Sequence, residues 1–247
     1  MPDPLRVLII VPAFNEARNL PGLLRALREV SPRSDICVVD DGSTDDTARV
    51  AREGGATVLR CPVNLGIGGA VQAGYLWARD HGYDAAVQID GDGQHDPAYI
   101  AGAIRPIAEG RADLVIGSRF LVEGGFRSTF LRRAGIRYLS GFLRLRCGAR
   151  TTDPTSGFRA AGRKAIELFS GWYPSDYPEP EAIAFATRNH LRLLEVPVHM
   201  TERLHGRSTI NLWRSFYYLI KVSFALVLLP RRPDLLALNP PPPERAG

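Results

Sequence analysis

The sequence predicts an α/β domain built on a doubly wound, mostly parallel sheet with helices on both faces. Three observations predict it. Short apolar runs rich in β-branched residues alternate with segments of helical spacing through the first half, the pattern of parallel βαβ units. The length of 247 residues suits one such domain with a modest appendage. The unusual polar residues fall directly after the apolar runs, where a parallel sheet gathers them on one edge and binds its ligands.

Each element has its own signal. Leu5 to Val11 (LRVLIIV) is continuously apolar, as a strand covered on both faces must be. Asn19 to Val30 sets Leu20, Leu23, Leu24 and Leu27 on one helical face. Asp35–Val39, Thr57–Arg60, Asp84–Ile89 and Asp113–Ile116 read as further strands, and Thr44–Glu53, Gly68–His81 and Tyr99–Glu109 as the helices between them. The second half is less regular. Leu131–Leu145 is a basic amphipathic helix, Asp153–Ala160 (DPTSGFRA) a loop leading into a helix over Arg163–Phe169, and Tyr173–Pro180 a proline-broken loop. Glu181–Asn189 reads as a helix and Leu191–Val198 as a strand. The chain therefore divides into a main domain over 1–210, an amphipathic helix over 211–230 and a proline-rich tail over 231–247 expected to be disordered. No internal repeat is present.

Composition narrows the class. At 45% hydrophobic and 23% charged, the chain can bury a full core. The net charge is +5 and the only lysines are Lys164 and Lys221, so the cations are nearly all arginine. That balance suits phosphate ligands or an anionic membrane surface. No nucleic-acid motif or basic-aromatic stripe accompanies it, and the acidic clusters would repel a nucleic-acid backbone. Cys37, Cys61 and Cys147 are odd in number and form no CxxC, against both a disulfide framework and a zinc site. The opening MPDPLRVLIIVPAFNE lacks the features of a signal peptide, and the expected location is cytoplasmic.

Three stretches carry the chemistry. In DDGSTDDT, a turn and a helix start explain Gly42 to Asp46, but not why Asp40 and Asp41 end an apolar strand. Acidic groups there can accept hydrogen bonds from a ribose or a base. NLGIGG, with Gly68, is either a close approach to a ligand or tight helix packing; its spacing matches neither a P-loop nor a dinucleotide fingerprint. VQIDGDGQHDP is the sharpest. Asp90 and Asp92 flank a glycine, so both carboxylates can aim at one point, with Gln94 close behind. Oxygen ligands of that kind suit Mg²⁺ or Mn²⁺ shared with substrate phosphates. Zinc is disfavoured because His95 has no matching His or Cys nearby.

Taken together, PAFNE, DDGSTDDT, NLGIGGAVQAGY, QIDGDGQHDP, GSRF, DPTSGFRA and EVPV followed by RLHGRS resemble the family 2 glycosyltransferases, in the family's order and over Val7 to Arg207. More narrowly they resemble the branch containing dolichyl- and polyprenyl-phosphate sugar synthases. The resemblance implies a GT-A fold, a UDP-, GDP- or TDP-linked sugar donor, a divalent metal and inversion at the anomeric carbon. It assigns Pro12, Ala13, Asn15 and Glu16 to the nucleotide, Asp40 and Asp41 to base and ribose, and Asp90, Asp92 and Gln94 to the metal. Arg203, His205 and Arg207 would contact the donor diphosphate. Arg119 would meet the acceptor or the phosphates, and Arg132 and Arg133 the acceptor, although the position four after Arg132 is Ile136 where many relatives have Ser.

The expected acceptor is a polyprenyl phosphate, already ionised and needing no base. The alternative is a hydroxyl of a growing glycan, for which Asp153 or Glu181 would be the base. A non-catalytic nucleotide-sugar binder and a sugar nucleotidyltransferase are the rivals; the latter should carry a glycine-rich loop where PAFNE stands. Asn211 to Pro230 is apolar but interrupted by Arg214 and Lys221, which suits a helix on the inner membrane surface rather than across it, with a core helix or a homodimer-interface helix as the other reading.

Overall fold

The computed structural model describes residues 5–121, 130–175, 177–200 and 212–228, with the backbone alone described for 130–132 and 212–218. The expected tail over 231–247, and Arg203, His205 and Arg207, lie outside the described residues, as does the side chain of Arg132.

Seven strands form one sheet: β1 (Val7–Ala13), β2 (Asp35–Asp40), β3 (Thr57–Arg60), β4 (Ala85–Gln88), β5 (Leu114–Ser118), β6 (Arg159–Gly162) and β7 (Leu193–Pro197). Their order is β3-β2-β1-β4-β6-β5-β7. All the pairings are parallel except those of β6, which runs antiparallel to both β4 and β5. Strand order reverses between β1 and β4, the switch point at which open α/β sheets bind ligands.

β6 is the element the sequence reading misses. DPTSGFRA reads as a loop because its strand portion, RAAG, has neither length nor β-branched residues. Yet Ala160 and Ala161 are fully buried, and small side chains let β6 fit between two strands already covered by helices. Its direction matters. Arg159 lies level with Gln88 of β4 and Ile116 of β5, so the start of β6 sits on the same edge as their carboxyl ends. An antiparallel insertion thus delivers the DPTSGF loop to the functional rim.

The core has two halves, one on each face. Leu8 and Ile10 of β1 point into one, and Val7, Ile9, Val11 and Ala13 into the other. This is why the first strand is continuously apolar. The second half is closed by α1 (Leu20–Val30), α2 (Thr47–Glu53) and α4 (Ile100–Ala108). Leu20, Leu23, Leu24 and Leu27 are buried as their spacing predicts, each worth about 1.5–3 kcal/mol on full burial. The first half is closed by α3 (Gly66–Asp80), α5 (Phe130–Cys147), α6 (Arg163–Gly171), α7 (Pro178–Arg188) and α8 (Leu212–Leu228). α7 starts inside the stretch expected to be a proline-broken loop, because Pro178 sits at its first turn, where a missing N–H costs nothing.

α8 is part of this packing. Val222 and Leu226 are fully buried against the domain. Arg188 Nη2 donates to the Leu226 carbonyl at 3.1 Å, and the Tyr138 and Ser223 hydroxyls are 3.1 Å apart.

The register of the edge strand β7 is fixed by charge. Asp113 accepts from Arg192 N, Nε and Nη2, each at 2.9 Å, while Asp113 N donates to the Arg192 carbonyl. The hydrogen bond from the Arg192 side chain is the main reason the Asp113 carboxyl titrates below its ordinary range. A lowered folded-state pKa means the contribution is present above the unfolded value near 4 and is lost as pH falls below it. Asp113→Asn should therefore flatten the acid limb of stability between about pH 5 and pH 2, read as denaturant midpoints at a series of pH values. An unchanged acid limb would show that the pair does not anchor β7.

Candidate active site

The first wall of the site is two loops held together. After β1, Asn15 adopts a left-handed backbone with φ of 57°. Its Oδ1 accepts from Thr44 N at 2.9 Å, and its own N–H donates to Ser43 Oγ at 2.9 Å. Glu16 N donates to Thr47 Oγ1 at 2.9 Å. Much of the polar chemistry in PAFNE and DDGSTDDT therefore joins the two loops. Asp40 is fully buried, accepts from Ser43 N at 3.0 Å and lies 3.4 Å from Arg60 Nε. Asp41 accepts from Leu65 N at 2.7 Å, which binds the NLGIGG loop to the end of β2.

Gly68 belongs to α3 and faces a different neighbour. A Cβ there would stand 1.9 Å from the Pro174 carbonyl oxygen. Its role is the close approach of the 172–175 segment to α3, the packing reading of that motif.

The acidic loop after β4 forms the floor. Ile89 N donates to the Ile10 carbonyl and Gly91 N to that of Pro12, so β1 carries the loop past the last ladder pair. Asp92 is buried and accepts from Gln94 N at 3.0 Å. Asp90 N donates to His95 Nδ1 at 3.3 Å, which makes Nδ1 the acceptor and puts the ring proton on Nε2. His95 is itself buried, edge-on to Phe158. It is a prop beneath the loop rather than a ligand. Gly157 completes the seat, since a Cβ there would lie 2.7 Å from Asp90 Oδ2.

This donor set can be tested against a metal. The loop offers the carboxylates of Asp90 and Asp92, and among the described residues the His95 imidazole beside them is turned to a backbone N–H. Among the described residues no cluster of three or more His, Cys, Asp and Glu forms a complete cage. Two carboxylates without a cage fit a hard cation such as Mg²⁺ or Mn²⁺ whose shell is completed by phosphates and water. Asp90 and Asp92 would hold it, with Gln94 alongside.

At the other end of the rim, Arg119 and Asp153 make a buried pair. Arg119 Nε and Nη2 donate to the two oxygens of Asp153, each at 2.6 Å, and Arg119 N adds a third contact at 3.2 Å. Nη2 also donates to Thr155 Oγ1 at 2.8 Å. Neither residue is more than 3% exposed, so the attraction acts with little screening. Glu195 braces the pair. Its carboxylate accepts from Thr152 N, Asp153 N and both the Thr151 and Thr152 hydroxyls. Asp153, a candidate base, thus has both oxygens committed to Arg119.

Other expected residues lie elsewhere. Arg133 is exposed on α5. Glu181 lines a cavity of about 220 Å³ with Trp172, Tyr173, Tyr177 and Lys221, between α7 and α8. Two residues missed in the sequence stand closer to the floor. Arg159 is fully buried and donates Nε to the Ser156 carbonyl at 3.2 Å and Nη2 to the Glu179 carbonyl at 2.6 Å. Glu179 occupies the first turn of α7. Burial raises its carboxyl above the ordinary range; Arg159 and Arg119 pull it down and Asp90 pushes it up. The same surroundings raise the Tyr173 hydroxyl to about 12, burial again being the main cause. No periodicity marks either residue, because each is defined by a contact between distant segments.

Residues 8–169 match the family model described as Glycosyl transferase family 2. The chain belongs to that family. It is 35% identical over 217 residues to the undecaprenyl-phosphate mannosyltransferase of Micrococcus luteus, covering 84% of this chain and 88% of that protein. It is 32% identical over 216 residues to the polyprenol monophosphomannose synthase of Mycolicibacterium smegmatis, covering 83% and 81%. A dolichyl-phosphate N-acetylglucosaminyltransferase that uses UDP-N-acetylglucosamine, from Methanococcus voltae, is 31% identical and covers 90% and 98%. Among solved structures, glucosyl-3-phosphoglycerate synthase from Mycobacterium tuberculosis superposes with a TM-score of 0.71 at 22% identity, over 92% of this chain and 81% of that one. The protein is a glycosyltransferase with the GT-A fold.

Breaking the Arg119–Asp153 pair should be costly. Arg119→Ala leaves a buried carboxylate uncompensated, and a loss of about 3–5 kcal/mol is expected from denaturant unfolding. A loss below 1 kcal/mol would mean that solvent reaches Asp153.

Proposed function

We propose that this glycosyltransferase moves a sugar from a nucleoside diphosphate sugar to a polyprenyl phosphate at a membrane surface, with inversion and with Mg²⁺ or Mn²⁺ as cofactor. The observation that carries the donor side is the seating of Asp90 and Asp92 at the switch point, with Gly157 making room for the first. The three relatives support the acceptor, since each is named for a polyprenyl or dolichyl phosphate product or substrate. A solved relative of the fold holds Mn²⁺ and UDP-glucose.

The reaction needs little proton chemistry. An oxygen of the acceptor phosphate forms a bond to the anomeric carbon, the bond from that carbon to the β-phosphate breaks, and its electron pair leaves with the nucleoside diphosphate. A divalent ion on Asp90 and Asp92 supplies Lewis-acid stabilisation of that leaving charge when bound. Asp41, with the PAFNE and DDGSTDDT loops, holds the nucleoside. Arg119 presents positive charge near the acceptor end while Asp153 fixes its direction. Because Asp153 is committed to Arg119, a hydroxyl acceptor would lack this base, whereas a phosphate needs none. Arg203, His205 and Arg207 remain the proposed contacts to the diphosphate, and Arg132 and Arg133 to the acceptor.

The membrane side of the proposal rests on α5 and α8. Leu145, Phe224 and Leu228 are 82%, 65% and 77% exposed. Neither helix contains an acidic residue, and α5 carries Arg132, Arg133, Arg137, Arg144 and Arg146. Apolar side chains between arginines suit the headgroup region of an anionic bilayer. Among the described residues no helix is long and apolar enough to cross a membrane.

Two measurements test this reading. Mn²⁺ with UDP-, GDP- or TDP-sugars should raise the melting temperature of the wild type, and Asp92→Asn should lose that rise and reduce transfer to polyprenyl phosphate by about 100-fold or more. Transfer within a few-fold of wild type would remove the metal assignment. Phe224→Asp with Leu228→Asp in the full chain should abolish flotation with anionic liposomes, and undiminished flotation would move the membrane contact elsewhere.

A further inference from the structure

Arg119 is a guanidinium that cannot swing about in search of a ligand. It is 3% exposed, and Asp153 holds Nε and Nη2 at 2.6 Å each while Nη1 points to the half-buried Met200 sulfur at 3.5 Å. A thioether is a weak acceptor, so the Nη1 edge is the one a phosphate oxygen can take over. Where that edge stands is then set by whatever fixes Asp153 and the chain on either side of Arg119. One side chain on a neighbouring strand fixes both.

That side chain is Glu195, in the middle of β7 and level with Ile116 of β5. Its Oε1 accepts from Thr151 Oγ1 at 2.5 Å and from Asp153 N at 3.1 Å. Its Oε2 accepts from Thr152 Oγ1 at 2.8 Å, and Thr152 N lies 2.8 and 2.9 Å from the two oxygens. Donors from three consecutive residues thus converge on one carboxylate. The network continues to the other side of Arg119. Thr152 Oγ1 is 2.6 Å from Ser118 Oγ, which accepts from Phe120 N at 3.2 Å. Ser118 and Phe120 flank Arg119 in the chain. The counter-ion of Arg119 and both of its chain neighbours are therefore tied to Glu195. All of these donors are neutral, so the carboxylate supplies geometry rather than a charge pair. An amide in its place would turn an NH₂ group toward at least one of them.

We propose that Glu195 is a positioning residue of the acceptor site: through Thr152 and Asp153 it aims Arg119 at the acceptor phosphate, and it leaves the donor site untouched. The proposal rests on the acceptor reading above and names the group that sets the direction of its arginine. None of the residues that Glu195 contacts belongs to the Asp90–Asp92 loop or to the loops assigned to the nucleoside. A misplacement of the arginine by a fraction of an ångström therefore falls on the acceptor alone, and reactions between two bound partners are sensitive to errors of that size.

The test separates acceptor from donor. Full-length wild type, Glu195→Gln, Glu195→Ala and Thr152→Val are compared in two assays, at a temperature where circular dichroism shows each to be folded. One is transfer to undecaprenyl phosphate in liposomes; the other is calorimetric binding of nucleoside diphosphates with Mn²⁺. Both Glu195 variants should lose at least about tenfold in kcat/KM for the lipid phosphate, and Thr152→Val, a change at an exposed residue that keeps the carboxylate, about threefold. All three should bind the nucleoside diphosphate within about twofold of wild type, which a general loosening of the fold would not allow. Arg119→Lys combined with Glu195→Gln should lose no more than Arg119→Lys alone, as expected for residues acting as one unit. Unchanged acceptor kinetics in the Glu195 variants, a parallel fall in nucleotide affinity, or additive losses in the double variant would overturn the assignment. A wild type that transfers to no polyprenyl phosphate would instead refute the acceptor reading beneath it.

Discussion

A parallel sheet brings the ends of its strands to one edge, and here that edge collects like charge. Asp40, Asp41, Asp90, Asp92 and Asp153 all stand on it. Carboxylates so placed destabilise one another unless something opposes the repulsion. The protein meets this constraint group by group. Asp40 takes Ser43 N and faces Arg60, Asp41 takes Leu65 N, Asp92 takes Gln94 N, and Asp153 takes Arg119. Most of the loop structure around the site follows from these pairings. Asp90 and Asp92 stand on either side of Gly91, the pair to which the proposed cation is assigned.

The second organising feature is close approach. Gly157 admits the Asp90 carboxylate, Gly68 admits the Pro174 carbonyl, and Gly74 admits Ile10, whose Cγ2 would lie 2.3 Å from an added Cβ. These glycines are scattered through motifs that look alike in sequence but act differently. One shapes the site, one brings a loop to a helix, and one packs a helix on the central strand. The catalytic rim is thus continuous with the core.

Much of this was legible beforehand. The continuous apolar run of β1 announced a strand covered on both faces, and the four leucines of α1 announced the helix that covers one of them. Aspartates placed directly after apolar runs pointed to the correct edge of the sheet. Ordered motifs pointed to the family that the chain proved to match. β6 was hidden because alanine and glycine carry no strand signal of their own, and its antiparallel direction is set by its neighbours. Asp153 read as a candidate base at the start of a loop; its pairing with Arg119 spans 34 positions of sequence and has no local mark.

The sequence by itself determined the element order, the two faces of the first strand and the residue types that reach the rim. These depend on periodicity and on the chemistry of single side chains, which local sequence contains. Only the tertiary structure decided how the carboxylates on the rim are partnered within the protein. It also decided that Glu181 lines the cavity toward α8, and that a fully buried arginine ties the first turn of α7 to the segment that seats Asp90. Those outcomes depend on distances between segments far apart in the chain, and burial sets the strength of each interaction only once those distances exist.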